Sequence, residues 1–157
     1  MSNNLRGSKR VSAYLDERGV AARVVTLDES TRTSQLAADA LGCSVAEIAK
    51  SIAFKAGDAA VVVVISGDKR VDAKRVSALL GVKVVNADAD TVRAQTGYAI
   101  GGVPPFPHDS GVRVLLDRSM TRFEKVWAAA GTPNSVMNLS VDQLRRIVGG
   151  ELVDVAA

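Results

Sequence analysis

The chain has 157 residues, the usual length of one domain, and 47% of them are hydrophobic while 24% are charged. This composition excludes general disorder, because the chain can bury enough apolar surface to offset the entropy lost on ordering. A single cysteine and a single histidine exclude an internal disulfide, a zinc site of several thiolates and a histidine-rich metal site. The net charge of +3 permits a nucleic-acid partner without demanding one.

The start of the chain carries no signal for export. Residues 1–10 are polar and lack the apolar segment of a signal peptide, and we expect residues 1–7 to form a flexible tail. The longest apolar run, residues 59–65, is too short to span a bilayer. Together with the lone cysteine, these features predict a cytoplasmic protein with no membrane partner.

Capping residues and the 3–4 spacing of apolar side chains predict six helices. In chain order they cover residues 9–18, 34–41, 45–49, 73–80, 89–96 and 141–148. The third and the sixth follow capping boxes, which are Ser44 with Glu47 and Ser140 with Gln143. A glycine follows every helix except the third, as is common at helix C-termini.

Apolar segments rich in β-branched residues predict six strands between these helices. In chain order they cover residues 22–27, 51–55, 59–65, 82–85, 112–117 and 151–155. Gly57 and Asp58 predict a hairpin turn between the second and third strands. The third strand holds four successive valines without polar alternation, so both of its faces should be covered. The pattern predicts one α/β (α+β) domain over residues 1–157, with a mixed sheet covered by helices.

The short motifs of tightly bound nucleotides and metals are absent from the sequence. There is no GxGxxG after a strand, Walker A loop, HExxH, CxxC or GxSxG pattern. We therefore expect function without a cofactor or a resident metal. Cys43 is interpreted as a small, partly buried residue, because no histidine lies near it in sequence to activate it.

Lys50 stands where a short capped helix meets an apolar strand. An ammonium fixed at such a junction can be presented to a phosphate or a carbonyl oxygen. The alternative is a lysine at a helix C-terminus, which the helix dipole favours. The pattern by itself leaves both interpretations open.

Residues 96–108 form a segment rich in glycine and proline, with Gly101 and Gly102 side by side. Adjacent glycines let a ligand approach the backbone closely and leave N–H groups free to bind an anion. The alternative is a plain connector between a helix and a strand. His108, near its end, is interpreted either as a hydrogen-bonding loop residue or as a base.

Two further features are ambiguous. Residues 128–139 are either a turn or a pocket wall that contains Ser135 and Asn138. Three clusters of basic side chains would suit either phosphate contacts or a solvated surface. These clusters are Arg6/Lys9/Arg10, Lys69/Arg70/Lys74/Arg75 and Arg145/Arg146.

Taken in order, these segments resemble the YbaK/EbsC family, also called the prolyl-tRNA-synthetase-associated editing domain. The resemblance is carried by AKSI at residues 49–52, by TGY at 96–98 and by GGVxP at 101–105. Residues 67–72 and 131–148 also fit in order, so the resemblance covers nearly the whole chain.

Membership of that family implies a trans-editing aminoacyl-tRNA deacylase, which hydrolyses the ester between a wrong amino acid and its tRNA. It implies a mixed, partly barrel-like sheet surrounded by helices, no metal, tRNA as partner and a prolyl-tRNA synthetase as a further candidate partner. The family's lysine corresponds to Lys50, which would hold the terminal nucleotide or the substrate carbonyl. Its loop glycine corresponds to Gly101, and the Gly101 and Gly102 amides would bind the carbonyl oxygen as it gains charge. The nucleophile would be water, or a substrate thiol where the amino acid carries one.

The resemblance and the apolar pattern together imply a small, largely uncharged pocket for the amino acid. Its expected substrate-binding residues are Leu27, Thr33, Ser51, Ile100, Val136, Met137, Asn138 and His108.

Two departures from the family's pattern leave the substrate open. Many relatives have glycine before the loop histidine, whereas this chain has Pro107 before His108. Members that act on cysteinyl-tRNA carry Ser and Asp where this chain has Ala129 and Val136. Alanine, serine, threonine and cysteine are all candidates. The rival hypotheses are a non-catalytic module that binds tRNA ends or aminoacylated nucleotides, and a hydrolase of small free esters.

Overall fold

The structure is a computed structural model that describes residues 6–28, 33–109, 111–150 and 152–157. Its α-helices are α1 (Gly7–Glu17), α2 (Ser34–Leu41), α3 (Ala73–Leu80), α4 (Ala89–Thr96) and α5 (Val141–Val148). Its strands are β1 (Val24–Thr26), β2 (Ile48–Ala56), β3 (Ala59–Ser66), β4 (Val84–Asn86), β5 (Arg113–Asp117), β6 (Lys125–Ala129), β7 (Ser135–Ser140) and β8 (Leu152–Val153). Two 3-10 helices cover Val45–Glu47 and Arg118–Arg122, and the second is called the 118–122 helix below.

Helices α2 to α5 have the bounds that their caps predict. Each N-cap side chain accepts a hydrogen bond from a backbone N–H of the first turn, which stabilises the start of the helix. These N-caps are Thr33, Asp72, Asp88 and Ser140. A left-handed glycine follows each of the four helices, as the sequence indicated.

Two predicted helices differ from those observed. Helix α1 begins at Gly7 with Arg6 as its N-cap, so Gly7 belongs to the helix rather than to a tail, and residues 1–5 lie outside the described residues. The capping box of Ser44 and Glu47 forms, but it supports only the 3-10 turn Val45–Glu47. Strand β2 then begins at Ile48, three residues earlier than predicted, because pairing with β3 and β6 extends the strand.

The described strands form one mixed sheet in the order β1-β7-β6-β2-β3-β5-β8, and β4 pairs with the far end of β2. The predicted hairpin is confirmed, since β2 and β3 are antiparallel with Ala56 opposite Ala59. The pairs β2–β6, β3–β5 and β5–β8 are parallel, and the other described pairs are antiparallel.

Strand β3 lies at the centre of the molecule, and its four valines are at most 2% exposed. Val62 and Val64 pack into the cluster that contains Leu15 of α1 and Leu144 of α5. Val61 and Val63 pack on the opposite side, into a cluster that contains Val76 of α3. Both faces of the strand are therefore covered, and the predicted mixed α/β domain is confirmed.

Strands β6 and β7 were not predicted. They form an antiparallel hairpin across the segment that the sequence left as a turn or a pocket wall. Each is short, and the GTPN turn at residues 131–134 interrupts the pattern, so the local strand signal is weak. Predicted strand 151–155 shortens to β8, and Glu151 lies outside the described residues.

Candidate active site

A cavity of about 550 Å³ opens where β2 meets β6, which is within the usual size of a small-ligand site. Pairing of β2 with β6 ends at Ala49, and pairing with β4 starts only at Phe54. Residues 50–53 therefore have a strand neighbour, β3, on one side only. Six of the predicted site residues line the cavity: Thr33, Lys50, Ser51, Ile100, Gly101 and Val136.

Lys50 lies on the cavity wall as the third residue of β2. It is not at a helix C-terminus, so the helix-dipole interpretation does not apply. Its Nζ donates a long hydrogen bond of 3.4 Å to the carbonyl oxygen of Gly67. Burial lowers the pKa of Lys50 below its usual range, the Arg70 guanidinium lowers it further, and the Asp68 carboxylate opposes both.

Gly67 fixes the position of the carbonyl that Lys50 contacts. A Cβ at this residue would collide with the Val45 carbonyl oxygen and lie 2.8 Å from Cβ of Ser34. Its N–H donates to the Ile48 carbonyl oxygen at 2.7 Å. The turn after β3 is thus held close against the start of β2, and only glycine allows this approach.

Gly101 is the third residue of a turn over residues 99–102 on another wall of the cavity. Its φ of 89° and the negative φ of Ile100 are the signs of a type II turn, which favours glycine at this position. The turn is closed by the N–H of Gly102, which donates to the Ala99 carbonyl oxygen at 3.0 Å. The N–H of Gly101 has no hydrogen-bond partner within residues 6–28, 33–109, 111–150 and 152–157, which makes it a candidate donor to a ligand.

The structure separates Gly102 from the cavity and gives it another role. Its N–H is engaged within the turn, so it is not free to bind a substrate oxygen. A Cβ on Gly102 would come within 2.8 Å of the Thr132 backbone, and its carbonyl oxygen accepts from Gly131 at 3.0 Å. Gly102 therefore docks the loop onto the β6–β7 hairpin.

Ser51 and Thr33 are residues of the cavity lining that carry hydroxyl groups. The Ser51 Oγ is fully buried and makes no hydrogen bond among the described residues, so it is closed off from the open space of the cavity and costs stability. Thr33 Oγ1 accepts from the N–H of Leu36 at 3.1 Å as the cap of α2, and no described residue accepts its hydroxyl proton.

Four predicted pocket residues lie elsewhere. The backbone of Leu27 pairs with Asn134, and Met137 is fully buried in the core. Asn138 donates from Nδ2 to the Val126 carbonyl oxygen at 3.1 Å, within the β6–β7 hairpin. His108 donates from Nε2 to the Pro104 carbonyl oxygen at 2.6 Å, as a residue that ties its own loop together.

Several cavity residues were not predicted from the sequence. Strand β6 and the first turn of α2 each form part of the cavity wall. Gly67 also lines the cavity, and its carbonyl oxygen accepts the hydrogen bond from Lys50. The residues that were not predicted include Ser34, Gln35, Gly67 and Trp127, whereas Ala128 and Ala129 belong to the segment that was interpreted from the sequence as a turn or a pocket wall. The sequence signal for β6 was the spacing of the apolar residues Val126 and Ala128 two positions apart, since alternate residues of a strand face the same side. In the structure both are buried.

Two wider features of the described residues bear on chemistry. Within residues 6–28, 33–109, 111–150 and 152–157, no group of three His, Cys, Asp or Glu side chains is arranged to hold a metal ion. No helix in the same ranges has the length and apolar character needed to cross a membrane.

The fold is that of a mixed α/β domain with a cavity beside Lys50, and comparison with known proteins identifies its family. Residues 28–147 match the family model of the aminoacyl-tRNA editing domain. The protein YwhH of Bacillus subtilis (strain 168), which is uncharacterised, is 36% identical over 122 residues that cover 77% of this chain and 78% of YwhH.

Two solved structures share the fold over nearly their whole length. One is provisionally described as a trans-editing enzyme for prolyl tRNA synthetase, with a TM-score of 0.89, 35% identity and 96% of both chains covered. The other, the hypothetical protein APE2540, has a TM-score of 0.89 and 32% identity, with 94% of this chain and 99% of that one covered. The chain belongs to the aminoacyl-tRNA editing domain family, which confirms the YbaK-type resemblance.

Proposed function

We propose that this protein is a trans-editing deacylase, which hydrolyses the ester of a tRNA mischarged with a small amino acid. The observation that carries the proposal is that one cavity is lined by Lys50, with its ammonium, and by Gly101, whose N–H has no hydrogen-bond partner among the described residues. In this reaction a water oxygen adds to the ester carbonyl carbon, and the carbonyl oxygen gains negative charge. The C–O bond to the ribose then breaks, releasing the amino acid and the tRNA 3′-terminal hydroxyl.

Two groups are assigned to the charge that develops on the carbonyl oxygen. The Gly101 N–H donates to that oxygen, and the Lys50 ammonium stabilises it or the neighbouring terminal nucleotide. Removing one such donor typically costs about 100- to 1,000-fold in rate. No described lining residue is Asp, Glu or His, so the proton of the attacking water passes to the substrate or to solvent.

The cavity lining supports a small amino acid as the group removed. Ala128, Ala129 and Val136 contribute short apolar side chains to the lining. An apolar pocket distinguishes side chains that differ by one methylene by only about 10- to 200-fold. We therefore expect graded activity on alanine, serine, threonine and cysteine esters, and much slower release of phenylalanine and tyrosine.

The tRNA body would contact the basic surface beside Lys50. Lys69 and Arg70 follow Gly67 in the same turn, and Lys74 and Arg75 lie in the first turn of α3. Binding through phosphates releases counterions and weakens steeply with salt. The substrate would be supplied in the cytoplasm by errors of a synthetase, with prolyl-tRNA synthetase as the partner that the related trans-editing structure suggests.

The test is a panel of tRNAs charged with single amino acids, incubated with purified protein at two salt concentrations and with or without EDTA. We expect faster release of small amino acids than in buffer, loss of activity at high salt and no effect of EDTA. A matched set of small amino-acid esters distinguishes tRNA editing from general esterase activity, which would be equal on both substrates and independent of salt.

One observation favours a second candidate, the non-catalytic binding module. The described lining of the cavity holds no Asp, Glu or His to act as a general base, which is the arrangement expected of a pocket that only binds aminoacylated ends. Protection of every charged tRNA from spontaneous hydrolysis, instead of acceleration, would establish the binding module and exclude the deacylase.

A further inference from the structure

An ion pair just outside the cavity joins two segments that are distant in sequence. Arg122, at the end of the 118–122 helix, binds both carboxylate oxygens of Asp68, with Nη1–Oδ2 of 3.0 Å and Nη2–Oδ1 of 2.7 Å. Such a two-pronged arrangement fixes the plane of the carboxylate as well as its position. This hydrogen bond and the Arg122 charge keep the pKa of Asp68 below its usual range, so the carboxylate stays ionised.

The 118–122 helix that carries Arg122 is itself anchored to the sheet. The Ser119 Oγ accepts from the N–H of Ser66 at 3.2 Å, at the end of β3. Asp117, only 2% exposed, accepts from the N–H groups of Ser119 and Val155, each at 2.9 Å. The guanidinium is therefore held over the turn after β3 by a fixed backbone.

The same turn controls the surroundings of Lys50. Gly67 receives the hydrogen bond from Lys50 Nζ, and Asp68 is the next residue along the chain. The Asp68 carboxylate attracts the Lys50 ammonium and opposes the effect of burial and of Arg70 on its pKa. Without Arg122, the Asp68 carboxylate would lose its partner one residue from the carbonyl that Lys50 contacts, and we expect it to turn toward the Lys50 ammonium.

We propose that Arg122 is a positioning residue, which holds the Asp68 carboxylate away from Lys50 and leaves the ammonium available to the substrate. This inference rests on the proposed function of Lys50. The function of the Arg122–Asp68 ion pair is then to prevent Asp68 from pairing with Lys50. If the ion pair only stabilised the fold, removing Asp68 would not restore the activity of a variant that lacks Arg122.

The design is a suppressor test. Arg122→Ala frees Asp68 to bind Lys50, so single-turnover deacylation at saturating enzyme should fall at least about 10-fold. Asp68→Asn alone removes the competing charge and should cost little. The double variant Arg122→Ala/Asp68→Asn should recover most of the lost rate, because no carboxylate remains to capture the ammonium.

Matched controls separate this effect from a change in net charge. Arg122→Ala/Asp154→Asn has the same net charge as the suppressor double but keeps Asp68, so it should stay as slow as Arg122→Ala. Arg118→Ala breaks a comparable exposed pair on the same short helix, Arg118 Nε to Asp154 Oδ1 at 3.1 Å, and should retain the wild-type rate.

A readout without deacylation is the titration of the Lys50 side chain by NMR in protein labelled at lysine, with Lys50→Arg for assignment. Arg122→Ala should raise the Lys50 pKa, and Arg122→Ala/Asp68→Asn should return it to the wild-type value or below. An unchanged titration in a folded Arg122→Ala protein would overturn the inference, as would a double variant as slow as the single one.

If Arg122→Ala does not fold, Arg122→Lys keeps the positive charge but loses the two parallel hydrogen bonds to Asp68. The Lys50 pKa should then rise in Arg122→Lys, and an unchanged pKa would overturn the inference. Full activity in Lys50→Ala would instead overturn the proposed function, while the titration still decides whether Asp68 is held away.

Discussion

Lys50 is carried by a strand whose residues 49–56 pair with β3 at eight successive positions, whereas Gly101 lies in a loop that belongs to no strand. The loop is held by separate backbone and side-chain contacts instead, among them the hydrogen bond from the Gly131 N–H to the Gly102 carbonyl oxygen. Tyr98 donates to the Pro107 carbonyl oxygen at 2.7 Å, and Arg10 of α1 binds Asp109 at 2.8 Å.

The contrast has a physical consequence for the site. Continuous backbone pairing with β3 holds the strand that carries the cation, while the amide donor depends on a few separate contacts and on one left-handed glycine. A change at Lys50 should therefore alter chemistry without altering the fold, while changes near Gly101 should affect both.

The largest expected effect is at Lys50 itself. Lys50→Ala should lower the single-turnover rate on mischarged tRNA at least about 100-fold, because a positioned charge is removed from the developing oxyanion. The melting temperature should change little, since the strand is held by its backbone. Lys50→Arg should also be inactive, because a planar guanidinium does not replace a compact ammonium in a shaped site. A folded Lys50→Ala protein that works within a few-fold of the wild type would remove Lys50 from the mechanism.

The two adjacent glycines should respond differently. Gly101→Ala places a side chain at a φ of 89°, so the turn should shift and the rate should fall on the order of 10- to 100-fold. Gly102→Ala drives a methyl group against the Thr132 backbone, so its main effect should be a lower melting temperature. Rates and thermal melts of both variants measure this, and identical behaviour would contradict the separate roles of the two residues.

The basic surface near Lys50 should matter for tRNA and not for small substrates. Reversing charge at Lys74 and Arg75 should lower activity on charged tRNA several-fold and weaken its salt dependence, since fewer counterions are released. A small amino-acid ester should be hydrolysed at the wild-type rate. The matched control is the same reversal at Arg145 and Arg146 on α5, which does not line the cavity. An equal loss from both double variants would argue against a tRNA-facing role for α3.

The smallest expected effect is a pH dependence of stability from His108. Burial lowers the pKa of His108 below its ordinary value of about 6.5, so the native state favours the neutral ring. Stability from this residue is fully present above the unfolded pKa and is lost as the pH falls toward the folded pKa. The melting temperature of the wild type should decrease between pH 7.5 and 5.5, and the slope should be shallower in His108→Gln. Parallel slopes would show that the ring contributes no such linkage.

Local sequence was sufficient for helices α2 to α5 and for part of the site. A capping bond joins residues two or three positions apart, so Thr33, Asp72, Asp88 and Ser140 predict the starts of α2 to α5 without knowledge of the rest of the chain. The segments around Lys50 and Gly101 were also recognisable, because their residue types and order are distinctive. The sequence identified both segments, but it did not predict how they lie relative to each other in the folded chain.

Only the tertiary structure decided the remaining features. The gap in the sheet over residues 50–53 exists because the pairing of β2 with β6 ends at Ala49 and its pairing with β4 starts at Phe54. Pairing between strands so distant in sequence cannot be predicted from local pattern. The difference between Gly101 and Gly102 depends on which N–H closes a turn and on the approach of Thr132. The ion pair between Arg122 and Asp68 joins residues that are 54 positions apart. Neither residue differs in the sequence from other surface charges, so the pair could not be predicted. Sequence determines what each residue can bind, whereas contacts between distant segments determine which of those bonds is made.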